Sequence, residues 1–182
     1  MQIYLVRHGE TDWNRENRLQ GQTDIPLNNT GISQAYQLRQ KINARNLKFD
    51  AVYVSPLQRT LKTAQIIVPG FPITLDNNLK ERNAGQFEGK DPVLIFDGEI
   101  DFLDETLNSD AFGVEPIRDF HARAVDFLQN LQVSYPDNTK ILVVSSNGLM
   151  KRLVSIITET PFDRIPNFQN AEIYEYNLIS HV

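Results

Sequence analysis

The sequence contains no cysteine, which excludes disulfide bonds and thiolate metal ligands from all of its 182 residues. Histidine is almost as scarce, and His8, His121 and His181 are too dispersed to form a pair of metal ligands on one helix. We therefore expect no metal ion and no other cofactor. The lack of cysteine agrees with a reducing compartment, although it does not require one.

Positive charge is in the minority, with 18 Lys and Arg residues against 23 Asp and Glu and a net charge of −5. Proteins bind nucleic acids mainly through clustered Lys and Arg side chains, so this composition indicates no nucleic-acid partner. Any site for an anion must therefore be local.

Long hydrophobic runs are absent, because no stretch approaches the roughly 18 apolar residues of a membrane helix. The opening run Met1–Val6 is too short for a signal peptide. We therefore expect a cytoplasmic protein without a membrane partner. The length suits one domain over residues 1–182, since domains commonly have about 100–200 residues. No pattern indicates the oligomeric state.

Short β-rich runs alternate with helical patterns along the chain. Strands are predicted at 2–6, 51–54, 71–75, 141–144 and 172–178, and helices at 29–42, 55–67, 116–131 and 149–157, with a weakly helical stretch up to Asn108. Ser55 and Pro56 are predicted to open the second helix as its cap and first position. The alternation predicts a three-layer α/β/α sandwich with a mostly parallel central sheet.

Polar side chains follow three of the predicted strands. They are Arg7 with His8, Ser55 with Arg59 in the next helical turn, and Ser145 with Ser146. Ligands of such sheets bind beyond the carboxyl ends of the strands, so we expect these three groups to meet at one edge and form the site.

Several segments in the first half of the chain follow one another in a recognisable order. They are Leu5–Thr11 with Asn14; Gly21, Asp24, Pro26-Leu27 and Gly31-Ile32; Ser55–Thr60 with Thr63-Ala64; and Leu79–Arg82 with Gly85, Glu88 and Gly89. Together they resemble the motifs of the histidine phosphatase superfamily, also called phosphoglycerate mutase-like, in its branch 1. The resemblance implies the phosphoglycerate mutase-like fold.

The same resemblance implies roles for individual residues. His8 corresponds to the nucleophile that forms a phosphohistidine, Arg7 and Arg59 to phosphate ligands, and Glu81 to the general acid. Asn14 and Thr23 are weaker candidates for polar contacts with the substrate.

The residues themselves support part of this assignment. A neutral imidazole is a nucleophile at one ring nitrogen when the other N–H is held by an acceptor such as a backbone carbonyl. A lone histidine is more often a structural residue, but Arg7 beside it favours an anion site. Arg59 alone could be a surface residue. The bare sequence does not select Glu81 among nearby acidic residues, which also include Glu10, Asp24 and Glu88.

One departure from the family pattern lies at Ser145-Ser146-Asn147-Gly148, where Ser146 stands at the position of the second catalytic histidine. A serine hydroxyl supplies one donor and no charge, so we expect a weaker site. Ser146 and Asn147 are predicted to contact phosphate, and Asn147 or His181 could compensate for the missing imidazole. Arg152 fits the basic residue that often follows in the next helix.

A second departure lies at Gly113–Pro116, where many relatives carry Gly-Glu-Ser and Glu115 is displaced by one residue. We expect the variable segment 87–113 to set substrate specificity. The remaining basic side chains of this part are interpreted as ordinary surface or helix residues: Lys90, Arg118, His121 and Arg123.

These observations predict a metal-independent phosphomonoester hydrolase that acts through phospho-His8 on a small phosphorylated molecule, with weakened activity. One alternative is a catalytically impaired pseudoenzyme that binds phosphate or a phospholigand. The other is a phosphoglycerate mutase-type phosphotransferase, although the chain is short for that activity and shows no mutase-type insertion.

Overall fold

A computed structural model of the chain describes residues 1–92 and 112–178. In this part five strands form one sheet in the order β3-β2-β4-β1-β5. The strands are β1 (Gln2–Arg7), β2 (Ala51–Val54), β3 (Thr74–Leu75), β4 (Lys140–Ser145) and β5 (Ile173–Asn177). All neighbouring strands are parallel except β5, which is antiparallel to β1. The predicted mostly parallel sheet is thus confirmed.

Helices connect these strands. They are α1 (Asp12–Arg15), α2 (Asn29–Ala44), α3 (Gln58–Ile67), α4 (Ile117–Ser134) and α5 (Asn147–Thr158), with 3-10 turns at Asn77–Leu79, Gly85–Phe87 and Phe162–Arg164. None of the helices in the described ranges has the length and apolar character needed to cross a bilayer. The predicted weakly helical stretch up to Asn108 lies mainly outside the described residues.

The sheet is covered on both faces because side chains of a strand alternate between its two sides. Ile3 and Leu5 of β1 pack with α4 and α5, whereas Tyr4 and Val6 pack with α2 and α3. Two hydrophobic layers result, one on each side of the sheet. The structure therefore confirms the predicted three-layer α/β/α sandwich.

The predicted start of α3 is wrong. The helix begins at Gln58 with Leu57 as a cap residue whose side chain makes no capping bond, and Ser55 is not the cap. Asp24, from a distant loop, accepts the Gln58 backbone N–H at 2.8 Å. Ser55 instead extends the sheet, since its N–H bonds to the Val144 carbonyl. The third predicted strand, 71–75, is also shorter than expected.

The carboxyl ends of three adjacent strands meet as predicted. Arg7 of β1 pairs with Ser145 of β4, and the next N–H, that of His8, bonds to the Ser145 carbonyl at 3.0 Å. The Ser55 N–H bonds to β4 from the other side at Val144. The sheet register therefore brings these three strand ends to one edge.

Candidate active site

His8 follows β1 and is almost completely buried, with 2% of its surface exposed. Its Nδ1 lies 2.7 Å from the Gly9 carbonyl oxygen. Because a carbonyl can only accept, Nδ1 carries the proton, and Nε2 of a neutral ring keeps its lone pair. Burial lowers the pKa of His8 well below 6.5, and the charges of Arg59 and Arg7 lower it further. This environment therefore favours a neutral ring with its lone pair on Nε2.

Arg59 is the largest fully buried side chain in the described part of the protein, so it is not a surface residue. Its terminal nitrogens donate to the carbonyls of Thr23 at 2.8 Å and Gly21 at 2.7 Å. Its Nε is buried without a hydrogen-bond partner among the described residues. Burial lowers the pKa of Arg59, while nearby carboxylates, Glu81 first, oppose that shift.

Arg7, the last residue of β1, is held by the segment that precedes β5. One terminal nitrogen donates to the Phe168 carbonyl at 2.6 Å, and its buried Nε has no partner in residues 1–92 and 112–178. Burial lowers the pKa of Arg7, and Glu81 is the first charge that opposes this effect. Two guanidinium groups, that of the buried Arg59 and that of the partly buried Arg7, thus act on the same imidazole and the same carboxylate.

Glu81 joins this group from the segment after the Asn77–Leu79 turn. Its Oε2 accepts the Gly148 N–H and its Oε1 accepts the Arg82 N–H, both at 2.8 Å. Gly148 is the second residue of α5, where a backbone N–H has no acceptor within the helix. The carboxylate therefore caps α5 and lies near both arginines.

An imidazole, two guanidinium groups and a carboxylate therefore interact electrostatically at this edge of the sheet. Guanidinium donors match the geometry of phosphoryl oxygens. The family profile of the histidine phosphatase superfamily (branch 1) matches residues 3–181. The chain belongs to this superfamily.

The names of curated relatives are of two kinds, mutase and phosphatase. A probable phosphoglycerate mutase, GpmB, of Erwinia tasmaniensis is 36% identical over 167 residues, covering 88% of this chain and 76% of that one. The uncharacterized phosphatase PhoE of Bacillus subtilis is 31% identical over 195 residues, covering 99% and 96%. Among solved structures, phosphoserine phosphatase of Entamoeba histolytica in complex with 3-phosphoglyceric acid is 29% identical with a TM-score of 0.77, covering 96% and 89%.

The three other carboxylates that the sequence left open have structural contacts. Glu10 accepts a side-chain bond from Asn28, and Asp24 caps α3. Glu88 accepts the backbone N–H groups of Gln22, Thr23 and Ala84. Glu81 is thus the one among these four that lies between both arginines and the amino end of α5.

Asn14 and Thr23, the weaker candidates for substrate contacts, differ in whether their side chains still have a hydrogen-bonding group for a ligand. Asn14 uses its Oδ1 to accept the backbone N–H of Thr11 at 3.1 Å, as part of the cap of α1. Its Nδ2 makes no hydrogen bond to the described residues, so it is available to a ligand. The Thr23 hydroxyl donates to Glu88, and its carbonyl holds Arg59. Thr23 therefore supports the site through its backbone.

Ser146 and Asn147 follow β4, beside His8. The Ser146 hydroxyl is buried and has no partner among described residues, and it makes no capping bond to α5. The Asn147 amide is occupied at both ends, since Oδ1 accepts the Phe168 N–H and Nδ2 donates to Asn167. The second N–H of Asn147 Nδ2 has no acceptor in the described part of the chain, so a phosphate contact would not require either bond to break. His181 lies outside the described residues.

Arg123 was interpreted from the sequence as an ordinary residue, and this is wrong. Its side chain is 15% exposed and donates to the Glu115 carboxylate and to the carbonyls of Asn78, Lys80 and Glu81. No local sequence signal could reveal the bonds to Asn78, Lys80 and Glu81, because these backbone acceptors are at least 42 positions away. Within the described ranges, no group of three or more His, Asp or Glu residues is placed to hold a metal ion.

Proposed function

We propose that the protein is a metal-independent phosphomonoesterase that forms a phosphohistidine on His8. The observation that carries the proposal is the His8 ring itself, whose Nδ1–H is held by the Gly9 carbonyl at 2.7 Å and whose pKa is lowered by burial. A ring with its proton fixed on one nitrogen presents the other as a nucleophile without a metal-bound water.

In the first step the phosphoryl group of the ester lies against Arg7 and Arg59, whose Nε groups have no partner among the described residues and can donate to its oxygens. Nε2 of His8 attacks phosphorus, a P–N bond forms, and the bond from phosphorus to the leaving oxygen breaks. Glu81, in its protonated form, gives its proton to the leaving oxygen, and an alcohol departs.

In the second step water attacks the phosphohistidine. The Glu81 carboxylate takes one proton from the water as the new P–O bond forms and the P–N bond breaks. The electron pair of the P–N bond returns to Nε2, and inorganic phosphate leaves. One carboxylate thus serves as acid and then as base.

We propose further that Ser146 occupies the place of a second catalytic histidine. Its buried hydroxyl, which has no partner in the described structure, can donate one bond to phosphate but brings no positive charge. This observation also favours the second candidate function, a phosphate- or phospholigand-binding pseudoenzyme that retains the arginines and His8 but turns over slowly.

The substrate that we propose is a small phosphorylated molecule in the cytoplasm. Relatives with phosphatase names and a structural neighbour with bound 3-phosphoglyceric acid support a small phosphate ester. Similarity to a probable phosphoglycerate mutase supports the third candidate, in which phospho-His8 passes its phosphoryl group to an acceptor alcohol instead of water.

A panel of phosphate monoesters assayed with and without a chelator tests these candidates. We expect release of inorganic phosphate that a chelator does not affect and that His8→Ala abolishes. Turnover that survives in His8→Ala would disprove the phosphohistidine mechanism. Phosphate binding by calorimetry without turnover favours the pseudoenzyme, and transfer to an added alcohol in excess of hydrolysis favours the phosphotransferase.

A further inference from the structure

The segment Asn78–Asn83 carries Glu81 but has little regular structure of its own. Only its first two residues belong to a 3-10 turn. Its carbonyls therefore need hydrogen-bond donors from elsewhere in the protein, because buried backbone groups are seldom left without partners. Ser145 of β4 supplies one such contact, since its hydroxyl donates to the Leu79 carbonyl at 2.7 Å.

Arg123 of α4 supplies three more contacts to the same segment. One terminal nitrogen donates to the carbonyls of Asn78 and Lys80, both at 2.6 Å, and the other donates to the carbonyl of Glu81 at 3.0 Å. The guanidinium group is planar and its donors form a fixed fork. Arg123 can therefore set the position of several backbone groups at once, Glu81 among them.

Glu115 fixes the guanidinium group of Arg123 and also bonds to Arg82 and Asn83, at the end of the segment. Its two carboxylate oxygens accept from Arg123 Nε at 2.6 Å and, at 2.9 Å, from the terminal nitrogen that also donates to the Glu81 carbonyl. One of the same oxygens accepts the Asn83 N–H at 3.1 Å, and the Glu115 carbonyl accepts Arg82 Nε at 2.8 Å. The side chains of Arg123 and Glu115 are each only 15% exposed, so the pair is largely shielded from water.

We infer that the Arg123–Glu115 pair positions Glu81 for catalysis, by holding its backbone so that its carboxylate reaches the amides of Arg82 and Gly148. The catalytic part of this inference rests on the proposed role of Glu81 as general acid and base. Arg123 and Glu115 are positioning residues and do not themselves touch the reacting atoms in this arrangement.

Two variants weaken the pair in different ways. Arg123→Lys keeps the positive charge opposite Glu115 but replaces the planar fork with a single ammonium group. Arg123→Met combined with Glu115→Gln removes both charges, so it leaves no uncompensated buried ion if the single substitution impairs folding. Arg118→Met is the matched control, because Arg118 is on the same helix, has a side chain that is 84% exposed and, within the described ranges, pairs only with the adjacent Asp119.

Amide hydrogen exchange tests the positioning without any need for turnover. We expect exchange at Gly148 and Arg82, the two amides that bond to the Glu81 carboxylate, to become at least about tenfold faster in both Arg123 variants, since local opening governs exchange. Amides of β1 and the Arg118→Met control should be unchanged. Unchanged exchange at Gly148 and Arg82 in both variants would overturn the inference, whatever the enzyme activity.

Kinetics test the catalytic consequence. Turnover of an alkyl phosphate should fall at least about tenfold in Arg123→Lys, while turnover of 4-nitrophenyl phosphate, which has a good leaving group, should fall less. In a Glu81→Gln background Arg123→Lys should have no further effect. An equal loss for both substrates, or a loss that persists without Glu81, would contradict the positioning role. Absence of His8-dependent turnover in the wild type would instead refute the proposed hydrolase, and hydrogen exchange would still decide the inference.

Discussion

The Glu81 carboxylate accepts the backbone N–H of Gly148 at 2.8 Å and thereby caps helix α5, although the two residues are 67 positions apart. Gly148 has no side chain in the way. A Cβ at this position would lie 2.4 Å from Glu81 Oε1 and 3.0 Å from its Cδ. The space that Gly148 leaves open is therefore the space that the proposed general acid occupies.

Gly148→Ala is expected to displace Glu81 without harming the fold. The atoms that the new methyl group meets belong to the end of a flexible side chain, and alanine favours a helix over glycine by up to about 1 kcal/mol. We expect turnover of alkyl phosphates to fall at least about tenfold, with urea stability unchanged or higher. Full activity in a variant whose Glu81 has moved would show that this contact is dispensable.

Glu81→Gln should affect substrates according to their leaving groups. Glutamine keeps the shape and can still accept the Gly148 N–H, but it has no proton to deliver. We expect turnover to fall by about 10²-fold or more for an alkyl phosphate and much less for 4-nitrophenyl phosphate, which needs little protonation. Equal losses for the two substrates would remove Glu81 from the general-acid role.

Thr63→Val tests how His8 is held. The buried Thr63 hydroxyl accepts the Gly9 N–H at 3.0 Å and donates to the Arg59 carbonyl at 2.7 Å, so it links the His8 loop to α3. Valine would leave the Gly9 N–H without its acceptor, at a cost of about 1–3 kcal/mol. We expect lower urea stability and lower turnover, with Thr63→Ser close to wild type.

Thr60→Val is the control for that experiment. Thr60 is equally buried on the same helix, but its hydroxyl donates to the nearby carbonyls of Ser55 and Leu57 and does not contact the His8 loop. Its substitution should lower stability without a selective loss of turnover. A similar kinetic loss in both valine variants would indicate a general effect of α3 and not a specific support of His8.

The sequence predicts best those helices and strands whose buried apolar residues recur at regular intervals along the chain. Ala35, Leu38 and Ile42 recur at helical intervals and are buried in α2. The start of α3 was mispredicted because its capping group is the remote Asp24 carboxylate. The contacts of Arg123 with Asn78, Lys80 and Glu81 were missed for the same kind of reason, since these residues come together only in the folded chain.

Acid should destabilise the protein partly through His8. The pKa of His8 in the folded state is lowered well below 6.5, so below that pH the unfolded chain binds a proton that the folded protein excludes. Above the ordinary pKa of 6.5 neither state binds this proton, so His8 adds no pH dependence there. Below that pH the free energy of unfolding falls as the pH decreases, by up to about 1.4 kcal/mol per pH unit. In urea titrations without phosphate or sulfate, His8→Asn should lose less stability than wild type between about pH 7 and pH 5. Equal losses would show that His8 is not kept neutral.

Ser146→His addresses the difference between a slow enzyme and a binding protein. Ser146 lies at the end of β4, adjacent to His8 across the sheet edge, and its buried hydroxyl has no partner in the described part of the chain. An imidazole there would add a donor and, when protonated, a positive charge beside the phosphoryl group. Preorganised donors of this kind are worth several kcal/mol, so we expect turnover to rise at least about tenfold.

Ser146→Gln is the matched control, because glutamine supplies a donor of similar reach but no charge. If turnover rises only in Ser146→His, the gain comes from the charge. If turnover rises in both variants, the gain comes from the hydrogen bond. If Ser146→His stays at background while phosphate still binds, the remaining catalytic groups are also impaired and the binding function is favoured. If the wild type already turns over a phosphate ester at about 1 s⁻¹ or faster, within the ordinary enzyme range, the serine is no defect and the present donors suffice.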